Sequence, residues 1–198
     1  MRDGGYPRKR VENVLIKPAF PPSVRIIPSH YLATPLGTAP GDSRFCAKAD
    51  GFTVLYASPD FATAFIETVV RDRFTRKRRR EILLKEVTER GWALIKTKPR
   101  ARLHLLDLRK DGCVRLGAPT DAVNARSHAA GRALGRAIHA RHKDIDGLLF
   151  ASRLTGADIY AVFDRGSNKL EVVEHDRLAG HPDLPEVLAA HGIRLIVT

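Results

Sequence analysis

Residues 54–67 read Val54-Leu55-Tyr56-Ala57-Ser58-Pro59-Asp60-Phe61-Ala62-Thr63-Ala64-Phe65-Ile66-Glu67. With Phe52 and Thr53 ahead of it, the first half is β-branched and aromatic, which predicts a strand over 52–57. Ser58 offers an N-cap oxygen and Pro59 a fixed φ at the first helical position, so a helix follows at once. Ala62, Phe65, Ile66, Val69 and Val70 recur at helical spacing, an apolar stripe that carries the helix to about residue 73. Glu67 lies off the centre of that stripe and is free to face a cleft.

Upstream, residues 1–23 combine Gly4, Gly5, Pro7, Pro18, Pro21 and Pro22 with basic charge and read as an irregular arm, whose apolar patch at 14–16 docks on the body. A short strand at 24–27 follows, then a long Pro, Gly and Thr-rich loop over 28–42, a length that in compact domains tends to be functional. Downstream, strands are expected at 81–89, 92–96 and 102–108, and three in succession imply antiparallel pairing. Ala130, Ala133, Leu134, Ala137 and Ile138 share one face of a helix over 129–141, in spite of Gly131 and Gly135. Strands at 147–152, 159–163 and 169–174, a turn at Arg165-Gly166-Ser167-Asn168, a helix over 184–191 stopped by Gly192, and a strand over 193–197 complete the chain. The expected class is α+β: a single domain over 24–198, mostly antiparallel strands with a few segregated helices, behind a 1–23 arm.

A chain of 198 residues suits one core rather than two, and 43% hydrophobic with 28% charged residues is too apolar for disorder. No apolar run approaches the roughly 18–20 residues that span a bilayer, and the basic start lacks an apolar segment behind it, so neither membrane span nor signal peptide is expected. Cys46 and Cys113 stand alone, without a thiol pair for zinc or a disulfide framework, and a reducing cytoplasm is the expected compartment. The net charge of +12 is local: residues 71–110 hold 15 basic and 5 acidic side chains, +10 of that total, centred on Arg76-Lys77-Arg78-Arg79-Arg80. Only Phe74 interleaves an aromatic ring with the run, so single-strand nucleic-acid binding gains little support.

There is no P-loop, no GxGxxG and no GxSxG, which removes Walker-type nucleotide hydrolysis, a Rossmann site and a hydrolase elbow. His139 and His142 share a helical face with His128 upstream, but no carboxylate or cysteine completes a ligand set, and no metal is expected. What remains are polar residues near strand ends: Arg25, Arg44, Tyr56, Glu67 and Ser152. Singly, each has an ordinary explanation as a surface cation, core ring, solvated helix face or strand-end cap.

Together they resemble a family. Arg25 in Val24-Arg25-Ile26, Arg44-Phe45, the block from Val54 to Glu67, and Gly147-Leu148-Leu149-Phe150-Ala151-Ser152-Arg153 are similar to the RES domain, named for its Arg, Glu and Ser. The likeness covers roughly 24–163; the Tyr-Ala-Ser block with Glu on the next helix is its specific part, and Ser43 stands where the family usually has Gly. The resemblance implies a bacterial toxin with an ADP-ribosyltransferase-like fold, paired with an Xre-type helix-turn-helix antitoxin in an assembly that can be of higher order. It also implies an enzyme that consumes NAD+ as its substrate by cleaving the nicotinamide–ribose bond, with Arg44, Tyr56, Glu67 and Ser152 as functional positions.

Those residue types suit that chemistry. N-glycosidic cleavage passes through an oxocarbenium-like state, which a carboxylate such as Glu67 stabilises. Arg44, and secondarily Arg25, would bind the pyrophosphate as bidentate forks. Tyr56 offers a ring face to the nicotinamide, and Ser152 a hydroxyl to its amide or to the ribose. Nicotinamide leaves as a neutral group, so no metal is called for. The acceptor stays open among water, phosphate and a protein side chain. The competing expectation is a non-catalytic basic module in which the 71–110 patch binds nucleic acid or an acidic protein.

Overall fold

The computed structural model describes residues 5–197. Its elements run α1 (Arg8–Glu12), β1 (Leu15–Ile16), β2 (Ser23–Pro28), β3 (Val54–Ala57), α2 (Phe61–Phe65), a π-helical turn (Ile66–Val70), β4 (Glu81–Leu83), α3 (Lys85–Thr88), β5 (Arg90–Thr97) and β6 (Leu105–Asp107). Then come α4 (Gly112–Leu116), α5 (Asp121–Asn124), α6 (Ala129–Arg141), β7 (Gly147–Ala151), β8 (Asp158–Phe163), β9 (Leu170–Arg177), α7 (Leu184–Ala190) and β10 (Arg194–Ile196). None of the helices is long and apolar enough to cross a membrane, among the described residues.

Three sheets result. The largest has the order β1-β6-β7-β8-β3, the second β2-β5-β9, and the third pairs β10 with β4. All neighbours are antiparallel except β6 with β7 and β4 with β10. A parallel pair needs a long crossover, and 108–146 provides it with α4, α5 and α6. The α+β class with mostly antiparallel strands is as expected.

Three apolar clusters hold the layers together. Phe45, Leu134, Ile138, Leu148 and Phe163 join α6 to one face of the large sheet. Leu55, Ile95, Leu105, Leu149 and Val162 fill the space between the large sheet and the β2-β5-β9 sheet. Phe61, Phe65, Val69, Trp92 and Val187 pack α2 against the far end of that second sheet. Val24 and Ser58 tie the two sheets by reciprocal backbone hydrogen bonds of 2.7 and 2.8 Å. The cleft opens where these sheets diverge from that bridge.

Several expectations need correction. The 1–23 arm is not irregular throughout: Val11 is buried on α1, Val14 in the turn that follows it, and β1 completes the edge of the large sheet along Leu105 and Leu106. Asp60, not Ser58, caps α2, its carboxylate accepting from the Thr63 N–H at 2.7 Å, because the helix begins only at Phe61 while the Ser58 backbone still pairs with Val24. The helix does not reach 73. The Arg71 N–H bonds back to the Ile66 carbonyl at 2.7 Å, and Arg71 takes φ 48°, a left-handed value that ends it.

The segment 81–89 is a three-residue strand followed by α3, since its partner β10 is only three residues long and Val87 turns inward to the same cluster as Ile82. The three successive strands do not form a meander. β4 pairs with β10, β5 with β2 and β9, and β6 with β1 and β7. The strand expected over 102–108 is confined to Leu105–Asp107.

Candidate active site

Tyr56 sits on β3, whose neighbour on one side is β8, while the open side faces the cleft. Its hydroxyl accepts from the Phe45 N–H at 3.1 Å and lies 2.9 Å from the Ser43 hydroxyl. Burial is the main reason its phenol is raised above the ordinary range, so it stays protonated. The ring therefore clamps the 43–45 turn that carries Arg44.

The same turn is pressed from the other side by α6. A Cβ on Gly131 would overlap the carbonyl oxygen of Arg44, and one on Gly135 that of Phe45. Helical glycine costs about 1 kcal/mol relative to alanine, and here it admits a backbone that no other residue would. Arg132 of α6 adds a hydrogen bond from its Nε to the Ser43 carbonyl at 3.0 Å. The Arg44 guanidinium reaches the Ala125 carbonyl at 3.0 Å through Nη1. Burial lowers its affinity for the proton, and the facing charge of Glu67 offsets part of that.

Glu67 projects from the π-helical turn. Its carboxylate accepts a short hydrogen bond from the Ser152 hydroxyl at the end of β7. The Ser152 oxygen in turn accepts from the Leu154 and Thr155 N–H groups, both at 3.0 Å. A serine hydroxyl has one proton and two lone pairs, and all three are engaged. With the side chain 4% exposed, the geometry gives Ser152 a positioning role toward Glu67 rather than contact with a ligand. The contact with substrate expected for its hydroxyl would require one of these three bonds to break.

Arg25 is also redirected. From β2 its Nη1 and Nη2 donate to the Pro35 and Gly37 carbonyls at 2.8 and 3.3 Å, while Nε is buried with no partner among the described residues. Burial lowers the guanidinium to about 10. It lines the cleft chiefly as the strut that holds the 28–42 loop.

Arg25, Ser43, Arg44, Tyr56, Glu67 and His128 are among the residues that enclose a cavity of about 310 Å³, within the range of small-ligand pockets. A smaller cavity of about 120 Å³ shares Arg44, Glu67, Arg71 and His128 and is rimmed by Asp72, Arg126 and Arg153. These rim residues escaped sequence reasoning. Arg153 has no role in the Ser-Arg pair of the sequence, His128 reads there as a solvated or capping residue rather than a metal ligand, and nothing local marks Asp72. Burial first, then the charges of Arg44, Arg71 and Arg132, holds His128 below the usual imidazole range.

His139 and His142 have structural partners. His139 stacks on Phe52 at 4.0 Å between ring centroids and meets Asp164 at 3.2 Å; His142 bonds the Tyr6 carbonyl at 3.0 Å. Among the described residues no group of three or more His, Cys, Asp or Glu side chains is placed to hold a metal ion.

Comparison with known proteins bears on this arrangement. The probable toxin y4kH of Sinorhizobium fredii (strain NBRC 101917 / NGR234) is 44% identical over 70 residues, 35% of this chain and 55% of the relative. The chain thus matches about half the length of that curated relative. A chain of the crystal structure of the M. tuberculosis MbcT–MbcA toxin–antitoxin complex shares the fold, with a TM-score of 0.67 at 17% identity over 92% of this chain and 96% of that one. The RES domain family matches residues 22–184, a span that contains Arg25, Arg44, Tyr56, Glu67 and Ser152, and the chain belongs to that family.

Proposed function

We propose that the protein is the toxin of a toxin–antitoxin pair and consumes NAD+ by cleaving its nicotinamide–ribose bond. The observation that carries this reading is a single cavity lined by the Glu67 carboxylate, which Ser152 fixes from behind, across from Arg44 and beside the Tyr56 ring. The relative named a probable toxin, and the solved likeness to a chain of a toxin–antitoxin complex, support the biological role. The partner is a helix-turn-helix antitoxin of the Xre type.

In this reading Arg44 holds the pyrophosphate, and the nicotinamide lies against Tyr56. The bond between ribose C1′ and the nicotinamide nitrogen breaks with its electron pair going to the nitrogen, so the cationic ring leaves neutral. Glu67 faces the positive charge that develops on the sugar and binds a ribose hydroxyl, an interaction stronger in the transition state than in the ground state. The acceptor then donates an oxygen lone pair to C1′; for water, the released proton passes to solvent or to Glu67.

Purified protein incubated with NAD+ and followed by chromatography tests the reading. Release of free nicotinamide by the wild type and its loss in Glu67→Gln support it. An intact NAD+ pool combined with salt-sensitive retention of nucleic acid would overturn it in favour of a basic binding module. Mass spectrometry of the ribose product, with and without inorganic phosphate, identifies the acceptor.

A further inference from the structure

Asp72 follows the strained Arg71 and reaches across the mouth of the smaller cavity. Its Oδ2 accepts from Arg153 Nη2 at 2.6 Å and lies 3.4 Å from Arg126 Nε. Three separate segments therefore meet on one carboxylate oxygen: the exit of the π-helical turn, the turn after β7, and the connection from α5 to α6. The rim carries Arg44, Arg71, Arg126 and Arg153 against Glu67 and Asp72, so cations outnumber carboxylates there. Glu67 is anchored to Ser152 on the wall, which leaves Asp72 as the only acidic group among the described lining residues that engages the rim arginines directly.

Two charged nitrogens converging on one carboxylate oxygen present the geometry that also receives a phosphoryl oxygen. The pair is poorly protected, with the Asp72 and Arg153 side chains 34% and 31% exposed and Arg126 at 66%. Water competes for ion pairs at that exposure, so an incoming anion of higher charge can displace the carboxylate.

We propose that Arg126 and Arg153, with Arg71 behind them, form an anion subsite for a phosphoryl group of the ligand, and that Asp72 is its built-in occupant, a latch that the ligand must displace. This deepens the reading of the cleft as a dinucleotide site and rests on it for the biological ligand, but not for the subsite itself. With Asp72 in place, weak anions are kept off the rim. With it removed, the same arginines are free to bind.

The test uses inorganic pyrophosphate as the probe, titrated calorimetrically at fixed ionic strength into the wild type, Asp72→Asn, Asp72→Asn/Arg153→Gln and Arg153→Gln. Both substituted positions, Asp72 and Arg153, are surface-exposed in part, and a thermal melt of each variant confirms folding. Asp72→Asn is expected to bind pyrophosphate about tenfold more tightly than the wild type, and the double variant to lose that gain. An unchanged affinity in Asp72→Asn, or a gain that survives the loss of Arg153, overturns the latch. If pyrophosphate behaves as expected but the wild type releases no nicotinamide from NAD+, the subsite stands and the NAD+ reading falls. If nicotinamide is released and Asp72→Asn does not tighten pyrophosphate binding, the reverse holds.

Discussion

Replacing Ser152 with alanine removes one oxygen and three hydrogen bonds. Two of them cap the Leu154 and Thr155 N–H groups, and losing such a cap costs about 0.5–2 kcal/mol of stability. The third orients Glu67. A hydrogen bond to a charged group is worth about 1.5–3 kcal/mol, or roughly 10- to 150-fold in rate if the orientation of the carboxylate depends on it. Glu67→Gln, which keeps the shape and removes the charge, should cost about 2–4 kcal/mol, roughly 30- to 900-fold. Because the Ser152 hydroxyl has nothing left to offer a ligand, its influence on turnover must pass through Glu67. The double variant should therefore be no slower than Glu67→Gln alone, within about threefold. Nicotinamide release measured for all four proteins, corrected by thermal melts for the folded fraction, closes the cycle; the Ser152→Ala loss should fall on kcat rather than KM. If the two losses multiply, Ser152 touches the substrate and its assignment as a positioning residue is wrong.

Other outcomes follow from the same geometry. Arg44→Ala should weaken NAD+ binding about tenfold or more and Arg44→Lys should recover only part of it, since an ammonium lacks the fork; equal affinity in all three proteins would remove Arg44 from the site. His128, His139 and His181 are each held below the ordinary imidazole value of 6.5, burial being the first cause. The unfolded chain therefore takes up these protons more readily, so their contribution is intact above about pH 6.5 and is lost as pH falls toward their folded values. His181→Phe, which preserves stacking on Phe61, should flatten the acid-side fall in Tm, and an unaltered slope would assign the fall to other groups. Neutralising the exposed Arg78, Arg79 and Arg80 should leave Tm unchanged while slowing association with an acidic partner and reducing its salt dependence; unchanged association kinetics would return the run to a solvated loop.

How much of this was legible depends on how local each signal is. The helix Ala129–Arg141 is found where its 3.6-residue periodicity puts it, because its stripe of Ala130, Leu134 and Ile138 is carried in the sequence itself. Strand β4 is a different case: its partner β10 lies more than a hundred residues away, and nothing between 81 and 89 marks where pairing stops. Tyr56, Glu67, Arg44 and Ser152 could be singled out by resemblance, and the fold brings the first three to one cleft with Ser152 buried behind Glu67. Their division of labour could not be read, since it depends on tertiary partners. Arg25 binds the Pro35 and Gly37 carbonyls, and Ser152 is consumed by Glu67 and two amides. Gly131 and Gly135 weaken the helix by propensity alone, and only the seat they make for Arg44 and Phe45 explains their presence.

A cleft that must attract an anion and also stabilise a cation needs an arginine and a carboxylate close together without letting them cancel. Left free, Arg44 and Glu67 would pair, and a formed pair presents little field to a ligand. The structure keeps them apart by giving each a neutral tether. The Ala125 carbonyl holds Arg44 and the Ser152 hydroxyl holds Glu67, so each side chain is fixed in direction by an uncharged partner. No ion pair joins the two among the described residues, although each lines both cavities. At the rim the opposite solution is used, with Asp72 neutralising Arg153 and Arg126 directly. On the proposed reading, preorganised groups at the centre and ion-paired arginines at the entrance favour a ligand that carries both signs, cationic at the nicotinamide ring and anionic at the pyrophosphate, over a simple anion that could use only the arginines.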